Sequence, residues 1–215
     1  MTTPERPLPS QLLLDTRVVA VMRATHAREY APVIEALMSG GVVSIELTLS
    51  TAGVFEEIAA LTERFGADAE IGIGTVTSVE QAVAAIDAGA AYLVTPLTDA
   101  AIIDTAVSRG VAIYPGGLTP SELFTGWSRG GTAVKVFPAS VVGPGYISQL
   151  RGPFPDIQVV PSGGIDIENA PDWIRAGALA VSLGGPLLGD AFRGGSLAAL
   201  TERATRLRGL VDDAR

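Results

Sequence analysis

Cysteine is absent from the sequence, and His26 is its only histidine. Without cysteine there can be no disulfide bond, no thiolate nucleophile and no cysteine-ligated metal. A single imidazole does not supply the ligands of a conventional zinc site, and we expect His26 to be a loop or cap residue rather than a catalytic base. Chemistry must therefore rest on lysine, arginine, carboxylates, hydroxyl groups and backbone amides, and we expect no metal and no cofactor.

Long apolar runs and clusters of basic residues are missing as well. No stretch approaches the roughly 18 apolar residues of a membrane-spanning helix, and the N-terminal segment MTTPERPLPSQLLLDTR lacks the pattern of a secretory signal. The formal net charge of -8 has no compensating basic cluster, which argues against binding to a nucleic-acid backbone. We therefore expect a cytoplasmic protein whose partner is a small molecule, and neither a nucleic acid nor a membrane.

Apolar residues are abundant, at 47% of the sequence against 18% charged residues. In a chain of 215 residues, this proportion favours one well-buried domain over residues 1–215. Glycine and proline are frequent but are spread along the chain, so no flexible linker is visible.

A glycine recurs every 21 to 25 residues, each time after a segment of helical periodicity and before a short apolar run. Glycine suits the end of a helix because its backbone adopts the left-handed conformation without a Cβ clash. Helix starts are also marked, by Ser78 before one segment and by Thr119, Pro120 and Glu122 before another. The recurring glycines are Gly41, Gly66, Gly89, Gly110, Gly131, Gly152 and Gly177.

Eight apolar runs, the first beginning at Arg17, alternate with these helical segments. Strands that are apolar on both faces and alternate with helices predict a parallel sheet closed into a (β/α)8 TIM barrel. The barrel core is expected over about residues 17–190, after an N-terminal extension and before one additional amphipathic helix over residues 196–213. The alternative, an open doubly wound sheet, is disfavoured because no glycine fingerprint follows the first strand.

Two predicted strands carry a charged residue in an apolar setting, Lys135 in AVKVF and Glu46 in IELTL. If both side chains point into the barrel near the carboxyl ends of the strands, where active sites of this architecture lie, they can meet. Burial favours the neutral amine of a lysine, which attacks carbonyl carbon to give an imine, while a nearby glutamate can shuttle protons. The alternatives are a buried ion pair between Lys135 and Glu46, or a lysine that reaches solvent at the rim.

Paired glycines end the seventh and eighth apolar runs, at Gly163 and Gly164 and at Gly184 and Gly185. Barrel enzymes commonly bind phosphate at this position through backbone amides, so a phosphate site is predicted here. The alternative is that these glycines only form tight turns after the strands.

Six segments of the chain match one known family in order and spacing: VAVMRA, IELTL, GIGTVTSVEQ, YPGGLTPSEL, VKVFPASVVGP and VPSGGI. They resemble the bacterial 2-keto-3-deoxy-6-phosphogluconate (KDPG) aldolases and their relatives that act on 2-keto-3-deoxy-6-phosphogalactonate (KDPGal) and 4-hydroxy-2-oxoglutarate (KHG). The resemblance covers roughly residues 18–188. It implies a class I, Schiff-base aldolase, which is a carbon-carbon lyase, and a homotrimer.

The resemblance also implies a role for each matching position. Lys135, in KVFP, matches the Schiff-base lysine, and Glu46, in ELTL, matches the general acid/base. Thr75 matches a threonine that contacts the pyruvate moiety, and Ser162 matches the hydroxyl residue that reads the stereochemistry of the sugar acid. The other matching positions of the substrate pocket are Arg23, Pro96 and Phe137.

Two departures from the family pattern bear on the substrate. Ser50 stands where well-known members have an arginine, and Pro186 stands where some have a phosphate-contacting serine. Backbone amides of the two glycine pairs could still bind a phosphate. The expected reaction is cleavage of KDPG to pyruvate and glyceraldehyde 3-phosphate; the alternatives are the same chemistry on KDPGal or KHG, or a non-catalytic barrel that binds sugar phosphates.

Overall fold

Parallel strands and helices alternate along residues 5–215, the part of the chain that the computed structural model describes. The strands are β1 (Val18–Met22), β2 (Ser44–Thr48), β3 (Glu70–Gly74), β4 (Tyr92–Val94), β5 (Ala112–Tyr114), β6 (Gly116–Gly117), β7 (Val134–Val136), β8 (Val159–Pro161) and β9 (Val181–Leu183). The helices are α1 (Gln11–Thr16), α2 (Tyr30–Ser39), α3 (Val54–Phe65), α4 (Val79–Asp87), α5 (Ala100–Ser108), α6 (Pro120–Ser128), α7 (Tyr146–Arg151), α8 (Ala170–Arg175), α9 (Gly185–Leu188) and α10 (Leu197–Asp212). Short 3-10 helices span Ala27–Glu29, Ala139–Val141 and Ala191–Arg193.

The strands form a curled parallel sheet of six, in the order β5, β4, β3, β2, β1, β9, and a second parallel sheet of three, β6, β7, β8. The two sheets approach each other between β8 and β9. There Ser162 pairs with Ser182, and the amide of Leu179 donates to the carbonyl oxygen of Val159 over 2.8 Å. All eight ladders and bridges among these strands are parallel, so their carboxyl ends share one side of the molecule.

The predicted fifth strand divides at Pro115 into β5 and β6, which pair with different neighbours. Tyr114 ends the ladder with β4, whereas Gly116 and Gly117 pair with β7. Proline has no N–H to continue a ladder, and the carbonyl oxygen of Pro115 instead accepts from the amide of Lys135 over 2.8 Å. Residues 5–215 therefore contain nine strand segments in two sheets, where the sequence predicts eight strands in one closed sheet.

Helix starts follow the predicted capping residues. The side chain of Ser78 accepts from the backbone amide three residues further on, before α4. Thr119 and Glu122 form a reciprocal capping box before α6. His26 caps the first 3-10 helix, which confirms its prediction as a loop or cap residue.

The additional C-terminal helix is α10, which begins and ends within one residue of the predicted range. It packs against α2 and α8 on the outside of the sheet. The hydroxyl of Thr201 donates to the carbonyl oxygen of Ala36 over 2.9 Å, which ties α10 to the second turn of α2. None of the helices described between residues 5 and 215 combines the length and the apolarity needed to cross a bilayer.

The N-terminal extension contains the helix α1, which is not predicted from the sequence. Ser10 caps it, with its side chain accepting from the amide of Leu13 over 3.0 Å. Leu13 is 1% exposed and packs into the sheet interior with Tyr92 and Tyr114. The helix therefore covers the amino ends of the strands, opposite the predicted active site; residues 1–4 of the extension lie outside the described residues.

Candidate active site

A cavity of about 550 Å³ opens at the carboxyl ends of the strands. Every residue that the sequence singles out for the site lines this cavity, whereas Ser50 does not and Pro186 does. The eleven predicted residues that line it are Arg23, Glu46, Thr75, Pro96, Lys135, Phe137, Ser162, Gly163, Gly164, Gly184 and Gly185.

Lys135 and Glu46 lie in the middle of β7 and β2, with side chains directed into the sheet interior. Their exposed fractions are 7% and 1%, respectively. The Nζ atom of Lys135 lies 5.0 Å from the ring centroid of Phe137, which shares its face of the strand as the alternation predicts. Below the main cavity, the two charged residues share a small inner space with Tyr92 and Tyr114.

Lys135 is also the only lysine of the chain, since the other basic residues counted with it are arginines. A residue type that is used once, and is buried in a strand, marks this position without reference to any family motif. No other side-chain amine can compete with Lys135 for a carbonyl compound.

The carboxyl of Glu46 is buried without being closed into an ion pair. Among residues 5–215, no ion pair of 4.0 Å or less joins it to Lys135, and its Oε2 atom has no hydrogen-bond partner. Burial raises the pKa of Glu46, and the positive charges of Lys135 and Arg23 oppose that rise. The result is a carboxyl with a raised pKa and an unused oxygen at the base of the cavity, which suits proton transfer.

Two glycines of β3 make the room that Glu46 occupies. Gly72 and Gly74 lie opposite Glu46 and Thr48 in the ladder between β2 and β3. A Cβ at Gly74 would collide with the Glu46 carboxyl, and a Cβ at Gly72 would collide with the ring of Tyr92. The alternate glycines of GIGT therefore hold open the interior face of β3.

Thr75 follows β3 in a left-handed backbone conformation, with φ of 62°. For a β-branched residue this conformation is rare and costs about 1–3 kcal/mol. Hydrogen bonds hold the backbone on either side of it, from Leu49 to the carbonyl oxygen of Gly74 over 2.9 Å and from Val76 to that of Val94 over 3.2 Å. The strained residue lines the cavity, as strained residues at binding sites often do.

The two glycine pairs present backbone amides to the cavity. Within residues 5–215, the amides of Gly164, Gly184 and Gly185 donate no hydrogen bond to a turn, loop or cap. Gly163 and Gly164 have φ of 81° and 82°, and a Cβ at Gly164 would collide with the side chain of Ser140. Successive amides in such left-handed turns form concave sites for anions.

Three polar or aromatic residues at or beneath the cavity are not among those predicted for the site. Ser182, in β9, accepts a hydrogen bond of 3.3 Å from the hydroxyl of Ser162. Its place in the apolar run ALAVSL is the same kind of signal as Lys135 in AVKVF. Phe192 and Arg193 lie in a 3-10 helix beyond β9. No sequence pattern marks them, because only the path of the chain after α9 brings them back over the site.

Comparison with known proteins places these observations in one family. The family described as KDPG and KHG aldolase matches residues 10–201. A 2-dehydro-3-deoxy-6-phosphogalactonate aldolase of Escherichia coli (strain K12) is 34% identical over 171 residues, 79% of this chain and 83% of that protein.

Two solved structures show the same fold. A cube-shaped protein cage, designed by fusing symmetric oligomeric domains, superposes with a TM-score of 0.85 and 32% identity over 92% of this chain and 73% of that chain. The KDPG aldolase of Legionella pneumophila, with pyruvate captured as a covalent carbinolamine intermediate, superposes with a TM-score of 0.83 and 25% identity over 90% of this chain and 95% of that chain.

Proposed function

Because the chain belongs to the family of KDPG and KHG aldolases, which are carbon-carbon lyases, we propose that it cleaves a 2-keto-3-deoxy sugar acid through an imine on Lys135. The observation that carries this proposal is the pairing, at the base of one cavity, of the only lysine with a buried carboxyl that is free of an ion pair. A closed ion pair, the structural alternative for these residues, would leave neither group available.

In the proposed reaction, the Lys135 amine attacks the C2 carbonyl carbon, and the carbinolamine loses water to form the imine. Glu46 supplies the proton that leaves with the water. It then accepts the C4 hydroxyl proton as the C3–C4 bond breaks, and the electron pair of that bond moves into the imine. The aldehyde departs, Glu46 passes the proton that it accepted to C3, and water hydrolyses the imine to release pyruvate and restore the Lys135 amine.

The surrounding residues fit the two ends of such a substrate. We assign Arg23 and Thr75 to the pyruvate end, beside Glu46, with Pro96 and Phe137 as its apolar walls. Ser162, which is 5% exposed, faces the cavity near the glycine pairs and is placed to contact the hydroxyl groups that differ between epimers. The backbone of Gly163, Gly164, Gly184 and Gly185 is assigned to a phosphate, because all four glycines line the cavity.

The substrate we propose is KDPG, giving pyruvate and glyceraldehyde 3-phosphate. The second candidate is KDPGal, favoured by the 34% identical relative named for that substrate; KHG, in the family description, is the third. Steady-state cleavage of the three acids by the same preparation ranks them by kcat/KM. A higher kcat/KM for KDPGal or KHG would displace KDPG.

The imine itself is tested by borohydride reduction in the presence of pyruvate, followed by peptide mass mapping. We expect a single adduct, on the peptide that contains Lys135, because no other side-chain amine exists. Lys135→Arg is the matched control: it keeps the positive charge and should give no adduct. Folded wild-type protein that remains unmodified would overturn the imine mechanism.

We also propose that the two sheets close into one (β/α)8 barrel, in a single domain, and that copies of the chain form a homotrimer. The contacts between β8 and β9 support the closure.

The similar designed cage, built from symmetric oligomeric domains, supports oligomerisation of this chain. The exposed ring of Phe124, stacked on the half-buried ring of Phe154 with centroids 4.5 Å apart, offers an apolar surface for it. Sedimentation equilibrium gives the number of copies, and a monomer mass would contradict the trimer.

A further inference from the structure

Arg193 brings a positive charge to the end of the cavity formed by the glycine pairs. It is the last residue of the 3-10 helix Ala191–Arg193, which follows α9, and it lines the cavity together with Gly184, Gly185 and Pro186. Pro186 has neither a hydroxyl nor an N–H to offer. The polar donors at this end are thus the glycine amides, the Ser162 hydroxyl and the Arg193 guanidinium.

The charge of Arg193 has no carboxylate partner among residues 5–215, and its one hydrogen bond is a long contact of 3.4 Å to the carbonyl oxygen of Gly189. Most arginines of the chain are engaged in ion pairs at the surface. Those that form such pairs are Arg28, Arg64, Arg109, Arg129, Arg175, Arg206, Arg208 and Arg215. An exposed guanidinium that faces a cavity without a counter-charge is free to bind an anion from solution.

Contacts from α2 and from α10 hold the segment that carries Arg193 in place. Phe192 meets the ring of Tyr30 edge-on, with centroids 5.8 Å apart, and the Tyr30 hydroxyl donates to the carbonyl oxygen of Met22 at the end of β1. From α10, Arg203 donates to the carbonyl oxygens of Leu187 and Leu188 over 2.7 and 2.9 Å. These contacts fix α9 and the following turn, so the backbone presents Arg193 to the cavity.

We propose that Arg193 binds the phosphate of the substrate and determines the preference for phosphorylated sugar acids. The planar guanidinium donates two parallel hydrogen bonds to a phosphate, while the glycine amides donate to its remaining oxygens. Arg23 lies at the reacting end, where its charge acts on Glu46. In this arrangement, each anionic end of the substrate lies beside one arginine: Arg23 at the reacting end and Arg193 at the phosphate end. This assignment rests on the proposed function for the identity of the substrate, but phosphate binding can be measured without turnover.

The kinetic test compares Arg193→Gln and Arg193→Lys with wild type on KDPG and on the unphosphorylated acid, 2-keto-3-deoxygluconate. Arg193→Gln should raise KM for KDPG by about ten- to hundredfold, the loss expected for hydrogen bonds to a charged group, and should lower kcat/KM far less for the unphosphorylated acid than for KDPG. Arg193→Lys should recover part of the loss. The matched control is Arg109→Gln, a surface arginine paired with Asp87 outside the cavity, which should change neither value. An equal loss on both acids, or no loss on KDPG, would overturn the proposal.

The binding test uses glycerol 3-phosphate, an unreactive phosphomonoester, and isothermal titration calorimetry. Wild type and Arg109→Gln should bind it equally, and Arg193→Gln should bind it at least about tenfold more weakly. Equal binding by all three proteins, or by none, would overturn the role of Arg193. If pyruvate is not trapped on Lys135 in wild type, the aldolase assignment fails, yet this calorimetric comparison still decides whether Arg193 binds phosphate.

Discussion

Glu46 faces the one lysine of the chain, and its surroundings determine which protonation state it holds. Burial at 1% exposure raises its pKa, while Lys135 and Arg23 favour the carboxylate. A carboxylate with a raised pKa is a stronger base than an exposed one, and its acid form can return the proton. Burial of this carboxyl therefore lowers the stability of the folded protein when Glu46 is ionised, and it also gives Glu46 the basicity that proton transfer needs.

Replacement of Glu46 by glutamine should separate binding from turnover. Glutamine keeps the shape and the polarity of the side chain but cannot exchange protons, so we expect kcat to fall by about 10²- to 10⁴-fold. Binding of the sugar acid should persist, because Arg23, Thr75 and the glycine amides are untouched. Steady-state kinetics and calorimetric binding measure the two effects, and full activity of the variant would remove Glu46 from proton transfer.

The same substitution should stabilise the protein as pH rises. Because the folded-state pKa of Glu46 is raised, the stabilising contribution of its protonated form is complete below the unfolded pKa and is lost as pH rises through the folded pKa. Glutamine does not ionise, so the Tm of Glu46→Gln should match wild type near about pH 4 and exceed it increasingly toward about pH 8. A difference in Tm that shrinks with rising pH would contradict the raised pKa.

At the scale of elements, the pairing of β2 with β3 decides whether the Glu46 carboxyl has a place to lie. The alternation of side chains puts Gly72 and Gly74 on the inner face, beside the Tyr92 ring and the Glu46 carboxyl. A methyl group added to Gly74 would overlap the Glu46 carboxyl, and one added to Gly72 would overlap the Tyr92 ring. The absence of side chains at these two positions of β3 therefore leaves the space that both groups occupy.

Gly74→Ala should displace Glu46 and lower activity without unfolding the chain. The new methyl group collides with the carboxyl, and a misplacement of about 1 Å at a reacting group costs about 10²-fold in rate. Overpacking should also lower the free energy of unfolding by about 1–3 kcal/mol. Because a displaced carboxyl gains solvent, the acidic limb of the pH profile of kcat should move to lower pH.

The matched control is Gly209→Ala, at an exposed position inside α10 with no atom within 4 Å of the new Cβ. It should leave kcat unchanged and raise the free energy of unfolding by about 0.5–1 kcal/mol, because alanine favours the helix. Unchanged kcat and an unshifted pH profile in Gly74→Ala would show that Glu46 tolerates the methyl group.

Much of the order of elements could be predicted because each signal is local. Glycine at helix ends and Ser78 or Thr119 at helix starts act within one turn, so the alternation of strands and helices is readable from the sequence. The division of the fifth predicted strand at Pro115 could not be predicted in this way. It depends on which strands pair with the residues before and after the proline, and the sequence of that segment alone does not contain this information.

At the scale of the whole molecule, the site could be predicted where it depends on strand polarity alone. Parallel strands bring their carboxyl ends together, so Lys135, Glu46 and the two glycine pairs necessarily meet at one end. Arg193 depends instead on contacts between distant segments, with Arg203 of α10 and Tyr30 of α2 holding its turn. Such long-range contacts leave no periodic signal in the sequence.

The opposite end of the molecule depends on α1, which inserts Leu13 into the interior beside Tyr92 and Tyr114. We expect Leu13→Ala to lower the free energy of unfolding by about 2–5 kcal/mol, because the side chain is fully buried and its removal leaves a cavity under the strands. Chemical denaturation monitored by circular dichroism measures the change.

The neighbouring residue supplies the control for this loss. Leu14 lies on the same helix but is 36% exposed, so Leu14→Ala removes the same atoms with a smaller change in buried area and should cost less than about 1 kcal/mol. Equal losses in the two variants would mean that α1 does not close the amino end of the strands. A large loss for Leu13→Ala alone would show that this helix is part of the core that holds Tyr92 and Tyr114 beneath Lys135.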